Sequence, residues 1–297
     1  MKRNTSYNRP SGFLRPGRSS SKKNKNLTCK IRSTTFFCLF TLISFCAMSQ
    51  TNNESPKTDV MDSSFDLYLL IGQSNMSGRG YITGKFITEG NPNVFMLTKE
   101  NQWVPAKNPL HFDKPKIVGV GPGLSFGIAM EKANPKHKIG LIPCAVGGTS
   151  IDTWKPGGYD EHTKTHPYDD MLEHLHAALK SGVLKGVIWL QGEEDSKPEK
   201  AAVYLPKLET LIKELRSVSG NPDLPFVAGQ LGRYREEFQN INKVLKELPG
   251  QVPYTAIASS KGLTDRGDKT HFTSESQEKM GQRMAKEMRK LQKKLKK

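Results

Sequence analysis

The chain has 297 residues, 35% of them hydrophobic, which is enough to bury the core of one large α/β domain or two small ones. Its formal net charge of +16 points first to a nucleic-acid partner, but the excess sits at the two ends. Residues 1–49 carry ten Lys/Arg and no acid, and residues 281–297 carry eight Lys/Arg and one acid, which leaves 27 basic against 28 acidic residues between them. A nucleic-acid reader gathers its basic groups on the folded face that grips phosphates, so this distribution, with no interleaved aromatics, argues for no nucleic-acid partner.

The amino-terminal end has the layout of a secretory signal. Lys22 to Arg32 is basic, Thr34 to Ala47 is apolar, and Ala47-Met48-Ser49 places small residues where a signal peptidase reads. Residues 1–49 are therefore expected to be a signal peptide with a long basic leader, and the protein to be secreted or periplasmic, with a cell-surface anchor as the alternative. The run is short for a stop-transfer helix, so no stable membrane partner is expected after cleavage. Cys29, Cys38 and Cys46 fall in that segment. Cys144 alone follows it, which leaves no internal disulfide and reads as a small buried hydrophobe.

Residues 50–64 are polar and read as a flexible lead-in to one domain spanning 65–297. Apolar runs at Phe65–Ile71, Val94–Leu97, Lys138–Pro143, Gly186–Leu190, Pro225–Gln230 and Tyr254–Ala258 predict strands. Between them, helices are predicted over Gly123–Ala133, Tyr168–Leu179, Ala201–Val218 and Arg235–Leu248, with Pro206 marking a start or a kink in the third. The last helix, Ser274–Leu295, has Met280, Met284, Met288, Leu291 and Leu295 on one stripe, a cap at Thr273 or Ser274, and a basic final stretch that suits the helix dipole. Such alternation implies a mostly parallel sheet with helices on both faces. The stretch from Met76 to Ser125 has few regular patterns, and connections of that length are usually functional or partly disordered.

Four blocks fall beside predicted strand ends: Gly72-Gln73-Ser74-Asn75-Met76, Ala145-Val146-Gly147-Gly148-Thr149-Ser150, Gln191-Gly192-Glu193-Glu194-Asp195 and Asp268-Lys269-Thr270-His271. Ligands of α/β proteins bind in the crevice beyond the strand ends. Each block suits one task in acyl transfer. Ser74 offers a hydroxyl that needs a base. His271 is a base suited to neutral pH, and Asp268 can orient it. Gly147 and Gly148 let backbone N–H groups approach a reacting oxygen, and Gln191 adds an amide donor. Each also has a structural reading: Ser74 a helix cap, Gly147-Gly148 a tight turn, Glu193 to Asp195 a solvated loop, His271 a packed or capping residue. It is their order and joint position at strand ends that favours chemistry. Asp265 reads as loop. His162, His166, His174 and His176 lack a third ligand and are followed or interrupted by Pro167, so no metal is expected. Trp154 has two readings, a pocket wall and core packing.

These blocks resemble the SGNH-type esterases, and specifically the branch formed by carbohydrate esterase family 6 and the sialate O-acetylesterase domain, over about residues 65–290. The resemblance implies a three-layer α/β/α sandwich with a flavodoxin-like sheet. It implies Ser74 as nucleophile, His271 as base and Asp268 as its partner, with oxyanion donors from the Ser74 N–H, a glycine N–H (Gly148, with Gly147 as the alternative) and the Gln191 side chain. The wider signature has Asn where Gln191 stands. The expected activity is removal of acetyl groups from an oligo- or polysaccharide without a cofactor, with acetylated xylan as first substrate and sialate esters as the alternative. A non-catalytic carbohydrate binder on the same fold, and a basic surface protein that holds anionic polymer through Arg283–Lys297, are the rivals from other classes.

Overall fold

The computed structural model describes residues 64–296, so the expectations for residues 1–49 and for the lead-in up to 63 lie outside the described residues. Seven strands form one sheet in the order β3-β2-β4-β1-β5-β6-β7. The strands are β1 (Phe65–Gly72), β2 (Asn91–Leu97), β3 (Trp103–Ala106), β4 (Lys138–Pro143), β5 (Val183–Leu190), β6 (Phe226–Gly229) and β7 (Thr255–Ala258). All neighbours pair in parallel except the β2–β3 edge hairpin. β1 lies at the centre and is buried along its whole length, as the unbroken apolar run predicts for a strand covered on both faces.

Side-chain alternation along β1 defines the two outer layers. Tyr68 packs edge-on against Phe126 of α2 (Gly123–Ala133) and accepts a hydrogen bond from Gln292 of α8 (Ser274–Leu295), which puts both helices on one face. Ile71, of opposite parity, is in register with Trp189, whose indole donates to Tyr204 of α5 (Tyr204–Ser219) on the other face. The crossovers β4–α3–β5 and β5–α5–β6 run the same way across the sheet, so right-handedness puts α3 (Pro167–Leu179) in that layer as well. This is the expected α/β/α sandwich.

Most predicted elements are present, and the differences have local causes. The α2 and α8 boundaries match, and Thr273 caps α8 by accepting the Ser276 N–H at 3.2 Å. The segment predicted over Ala201–Val218 divides into α4 (Pro198–Ala201) and α5, which places Pro206 in the first turn of α5, where a missing N–H costs little. The segment predicted over Arg235–Leu248 divides into α6 (Phe238–Leu245) and α7 (Leu248–Gln251), with Pro249 in the first turn of α7. Strand β3 was not predicted. It is four residues long, half exposed, contains Pro105 and sits at the sheet edge, where proline is tolerated. No helix among the described residues is long and apolar enough to cross a membrane.

The order of strands sets the site. From β1 the chain moves one way to β2 and later the other way, from β4 past β1 to β5. The carboxyl ends of β1, β4 and β5 therefore meet at a topological switch point, the position at which open α/β sheets bind their ligands.

Candidate active site

Ser74 opens α1 (Ser74–Ser77), a single turn that follows β1 directly. The tight exit from the strand depends on Gly72, at φ +132°, where a Cβ would lie 2.2 Å from the Leu190 carbonyl oxygen. The Gln73 N–H then donates to that same carbonyl at 3.0 Å, pinning the turn to β5. Ser74 Oγ faces His271 Nε2 at 3.0 Å, and His271 Nδ1 lies 2.8 Å from Asp268 Oδ2. The structure thus brings together three of the predicted residues across 197 positions of sequence.

The histidine loop is a compact turn before α8. Asp268 Oδ1 accepts the N–H groups of Thr270 (2.9 Å) and His271 (2.8 Å), and Oδ2 accepts from His271 and from Arg266 Nε (3.0 Å). Partial burial works to raise the Asp268 pKa, but these donors outweigh it and hold it at about 2. The His271 pKa is lowered, first by burial and then by the Arg79 and Arg266 charges, with Asp268 opposing. Near neutrality the pair is therefore a carboxylate and a neutral imidazole. Asp265 braces the loop by accepting from Gly267 (2.9 Å) and Lys269 (2.7 Å), in line with its reading as loop.

Asn75, next to the serine and fully buried, ties that loop to the nucleophile's turn. Its Nδ2 donates to Thr270 O at 3.0 Å and its Oδ1 accepts the Phe272 N–H at 3.0 Å, so it holds the residues on both sides of His271. Nδ2 also donates to Glu193 Oε1 at 2.6 Å, and Gln277 donates to Oδ1 at 3.3 Å. The other Glu193 oxygen is enclosed without a hydrogen-bond partner among the described residues, and desolvation raises the pKa of this carboxyl to about 7. Glu193 and Asp195 are thus not the solvated loop of the structural reading. Only Glu194 is exposed, beside Lys200.

The glycine block lies against the serine. Gly147 donates its N–H to Asp113 Oδ2 at 2.9 Å, and a Cβ there would come 3.3 Å from Ser74 Cβ and collide with the Arg79 guanidinium. The Gly148 N–H and the Ser74 N–H donate to no acceptor among the described residues. Asp113 forms a buried ion pair with Arg79 Nη2 (2.9 Å), while Arg79 Nη1 donates to Ser77 Oγ (2.6 Å) and Gly78 O (2.8 Å). Burial would raise the Asp113 pKa, but Arg79 and the Gly147 N–H bring it below the ordinary value. Neighbouring His111 is kept neutral by burial, its pKa down at about 3, and accepts the Ala145 N–H at 3.2 Å.

Gln191 does not occupy the place expected of it. Its side chain has no solvent exposure, and its Nε2 donates to Thr149 O (3.0 Å) and Asp195 Oδ2 (2.5 Å) while Oε1 accepts from Tyr204 (2.9 Å). Both amide hydrogens are spent within the fold. The reading of Gln191 as an oxyanion donor is corrected to a brace. With Asp195, which also accepts from Ser150 Oγ (2.5 Å) and the Ile151 N–H (2.8 Å), it fastens the second block to the third.

Other predicted candidates lie elsewhere. Trp154 is core: it packs edge-on to Trp189 at 5.3 Å and donates to Thr149 Oγ1 at 3.2 Å, which leaves it no pocket face. His166 Nδ1 lies 3.1 Å from Gly158 O and His174 Nδ1 2.7 Å from Asn101 Oδ1. Among the described residues no group of three His, Cys, Asp or Glu side chains is placed to hold a metal ion. Cys144 is a buried free thiol whose pKa burial drives far up. Sequence reasoning missed Arg79, Asp113 and Arg266. Arg79 sits three residues past the first block, and its pairing with Asp113 crosses the patternless Met76–Ser125 stretch, so spacing gave no signal for it.

The arrangement offers a hydroxyl on a base, an acid behind the base, an unengaged N–H on the serine itself and another on Gly148, one residue past the glycine that packs on the serine, the parts that acyl transfer requires. The described domain also matches known proteins. A probable carbohydrate esterase of Arabidopsis thaliana is 31% identical over 241 residues, covering 74% of this chain and 88% of the relative. The crystal structure of an Arabidopsis thaliana protein aligns with a TM-score of 0.68 at 29% identity, covering 76% of this chain and 98% of that one. NanS shares the fold at a TM-score of 0.60 and 17% identity, over 77% of this chain and 98% of that chain. A carbohydrate acetylesterase of Xanthomonas citri shares it at 0.61 and 20%, over 77% of this chain and 57% of that chain. Residues 64–290 match the family model described as carbohydrate esterase, sialic acid-specific acetylesterase. The chain is a carboxylic ester hydrolase and belongs to that carbohydrate esterase family.

Proposed function

We propose that this protein is a serine acetylesterase that removes O-acetyl groups from carbohydrate, with acetylated xylan as the first substrate and O-acetylated sialic acid as the alternative. The observation that carries the reading is the continuous hydrogen-bonded line Ser74 Oγ–His271 Nε2–His271 Nδ1–Asp268 Oδ2, at 3.0 and 2.8 Å. His271, neutral at pH 7, takes the Ser74 proton as Oγ bonds to the ester carbonyl carbon. Asp268 holds the Nδ1–H tautomer and stabilises the imidazolium. The Ser74 and Gly148 N–H groups donate to the oxyanion, and Asp113 fixes the loop that carries Gly148. Collapse breaks the bond to the sugar oxygen, which leaves with the proton from His271. Water, deprotonated by His271, then attacks the acetyl-serine and releases acetate and free Ser74.

Export through residues 1–49 belongs to the same proposal and is tested by sequencing the amino terminus of the mature protein. The chemistry is tested by acetate release from acetylated xylan, pectin, chitin fragments and O-acetylated sialic acid. Release from one of these by the native protein and its loss in Ser74→Ala are expected. A Ser74→Ala protein as active as the native one contradicts the reading, and p-nitrophenyl acetate turnover with no sugar ester hydrolysed contradicts its carbohydrate part.

A further inference from the structure

Tyr81 follows the nucleophile's turn, next to the bridge between Gly80 and Val120. Its backbone is fixed: Gly80 and Val120 exchange hydrogen bonds at 3.0 and 2.8 Å, and Tyr81 O accepts from Ser274 Oγ at 2.7 Å and from the Thr83 N–H at 3.1 Å. The guanidinium carbon of Arg266 lies 5.1 Å from the ring centre. That same guanidinium donates through Nε to Asp268 Oδ2 at 3.0 Å and through Nη1 to Arg79 O at 2.6 Å. The ring is therefore one guanidinium away from the acid of the Ser–His–Asp line. Ser74, at 7%, is the most buried residue of this path, the side chains of His271, Asp268 and Arg266 are 23%, 35% and 28% exposed, and Tyr81 is 62% exposed.

A single exposed tyrosine is ordinary on any surface. This one has a cation over one face, is joined through that cation to the acid of the Ser–His–Asp line, and is largely open to solvent. An aromatic face carries negative potential and attracts the C–H groups on the flat side of a sugar ring. A ring on a fixed backbone, with a partner already on one face, loses less side-chain entropy when a ligand covers the other.

We propose that Tyr81, backed by Arg266, is a platform on which a sugar ring of the substrate stacks, placing the acetyl ester of the same or a neighbouring ring at Ser74. The proposal rests on the carbohydrate acetylesterase reading and adds a residue that selects sugar esters over simple acetate esters.

The test compares kcat/KM for acetylated xylo-oligosaccharides with kcat/KM for p-nitrophenyl acetate, which has no sugar to stack. Tyr81→Ala is expected to lower the ratio of the two about tenfold, chiefly through KM on the sugar ester, as the loss of one aromatic contact implies. Tyr81→Phe, which keeps the ring, is expected to preserve the ratio. A Tyr81→Ala protein with an unchanged ratio overturns the platform, since damage to the fold lowers both activities together. Calorimetric titration of the oligosaccharide into Ser74→Ala, with and without Tyr81→Ala, reads the platform without turnover. Weaker binding in the double variant supports the proposal; equal or absent binding in both overturns it. A native protein that hydrolyses neither ester overturns the esterase reading, and the titration still decides the platform.

Discussion

Asp113 accepts the Gly147 N–H at 2.9 Å, and that bond divides the labour of the two glycines. Gly147, which packs on the serine, is engaged, and the N–H of Gly148 donates to no acceptor among the described residues. Asp113 is in turn neutralised by Arg79, whose backbone carbonyl accepts from Arg266, the residue that also binds Asp268. One polar chain thus runs from the glycine loop to the acid behind the histidine.

Removing the Asp113 carboxyl leaves a buried guanidinium unpaired, which costs about 3–5 kcal/mol of stability. Asp113→Ala is expected to lower kcat on p-nitrophenyl acetate by about 10² through loss of oxyanion-loop geometry, with a smaller change in KM. Asp113→Asn keeps an acceptor for Gly147 and is expected to recover part of kcat without recovering stability. Steady-state kinetics beside a urea melt separate the two effects, and equal kcat in both variants would detach Asp113 from the loop.

Gln191→Ala is expected to act on stability. It leaves the buried Thr149 carbonyl without its partner, at about 1–3 kcal/mol, and removes one hydrogen bond each from Asp195 and Tyr204, which keep those from Ser150, Ile151 and Trp189. A lowered melting temperature with kcat reduced in proportion to unfolding is the expected result. An unchanged melting temperature with kcat down by about 10² would restore Gln191 as an oxyanion donor.

The pH profile follows from His271. Because its pKa lies below the ordinary 6.5, kcat/KM is expected to rise with pH and level off after a midpoint below that value. The Arg266 charge lowers this pKa, so Arg266→Ala is expected to move the midpoint upward. A midpoint that moves down on loss of Arg266 contradicts the electrostatic assignment.

Glu193 gives a separate pH signature, in stability. Its folded pKa, about 7, stands above the ordinary 4.5, so the contribution is complete below pH 4.5 and is lost as pH rises through 7. Glu193→Gln keeps an acceptor for Asn75 and removes the ionisation. The variant is expected to gain stability over the native protein at pH 8, on the order of 2 kcal/mol, and to gain none at pH 4. Denaturant melts at the two pH values measure the difference, and a gain independent of pH contradicts it.

The parts of the fold legible in the sequence were those with strong periodicity or an unbroken apolar run. β4, α2 and α8 have the predicted bounds, and β1 extends one residue further, to Gly72. β3 was illegible because a four-residue edge strand needs no burial pattern of its own. Ser74, Asp268 and His271 were legible as candidates because a hydroxyl, an acid and an imidazole fall beside predicted strand ends, and the fold brings the three side chains together. What holds them was not visible. Asn75 reaches Thr270 and Phe272 across almost two hundred residues, and Arg79 meets Asp113 across a stretch without pattern. Gln191 shows the converse: an amide at the right strand end looks like a donor until the fold shows its hydrogens already taken.

The central claim is that Ser74 carries the acetyl group during turnover. Rapid quenching of the protein with p-nitrophenyl acetate at low pH, followed by peptide mass spectrometry, reads it directly. The account predicts an acetyl group on the peptide that contains Ser74, absent in Ser74→Ala and strongly reduced in His271→Ala, which lacks the base for acylation. Full hydrolysis with the acetyl group on another residue, or with none on any, would contradict it.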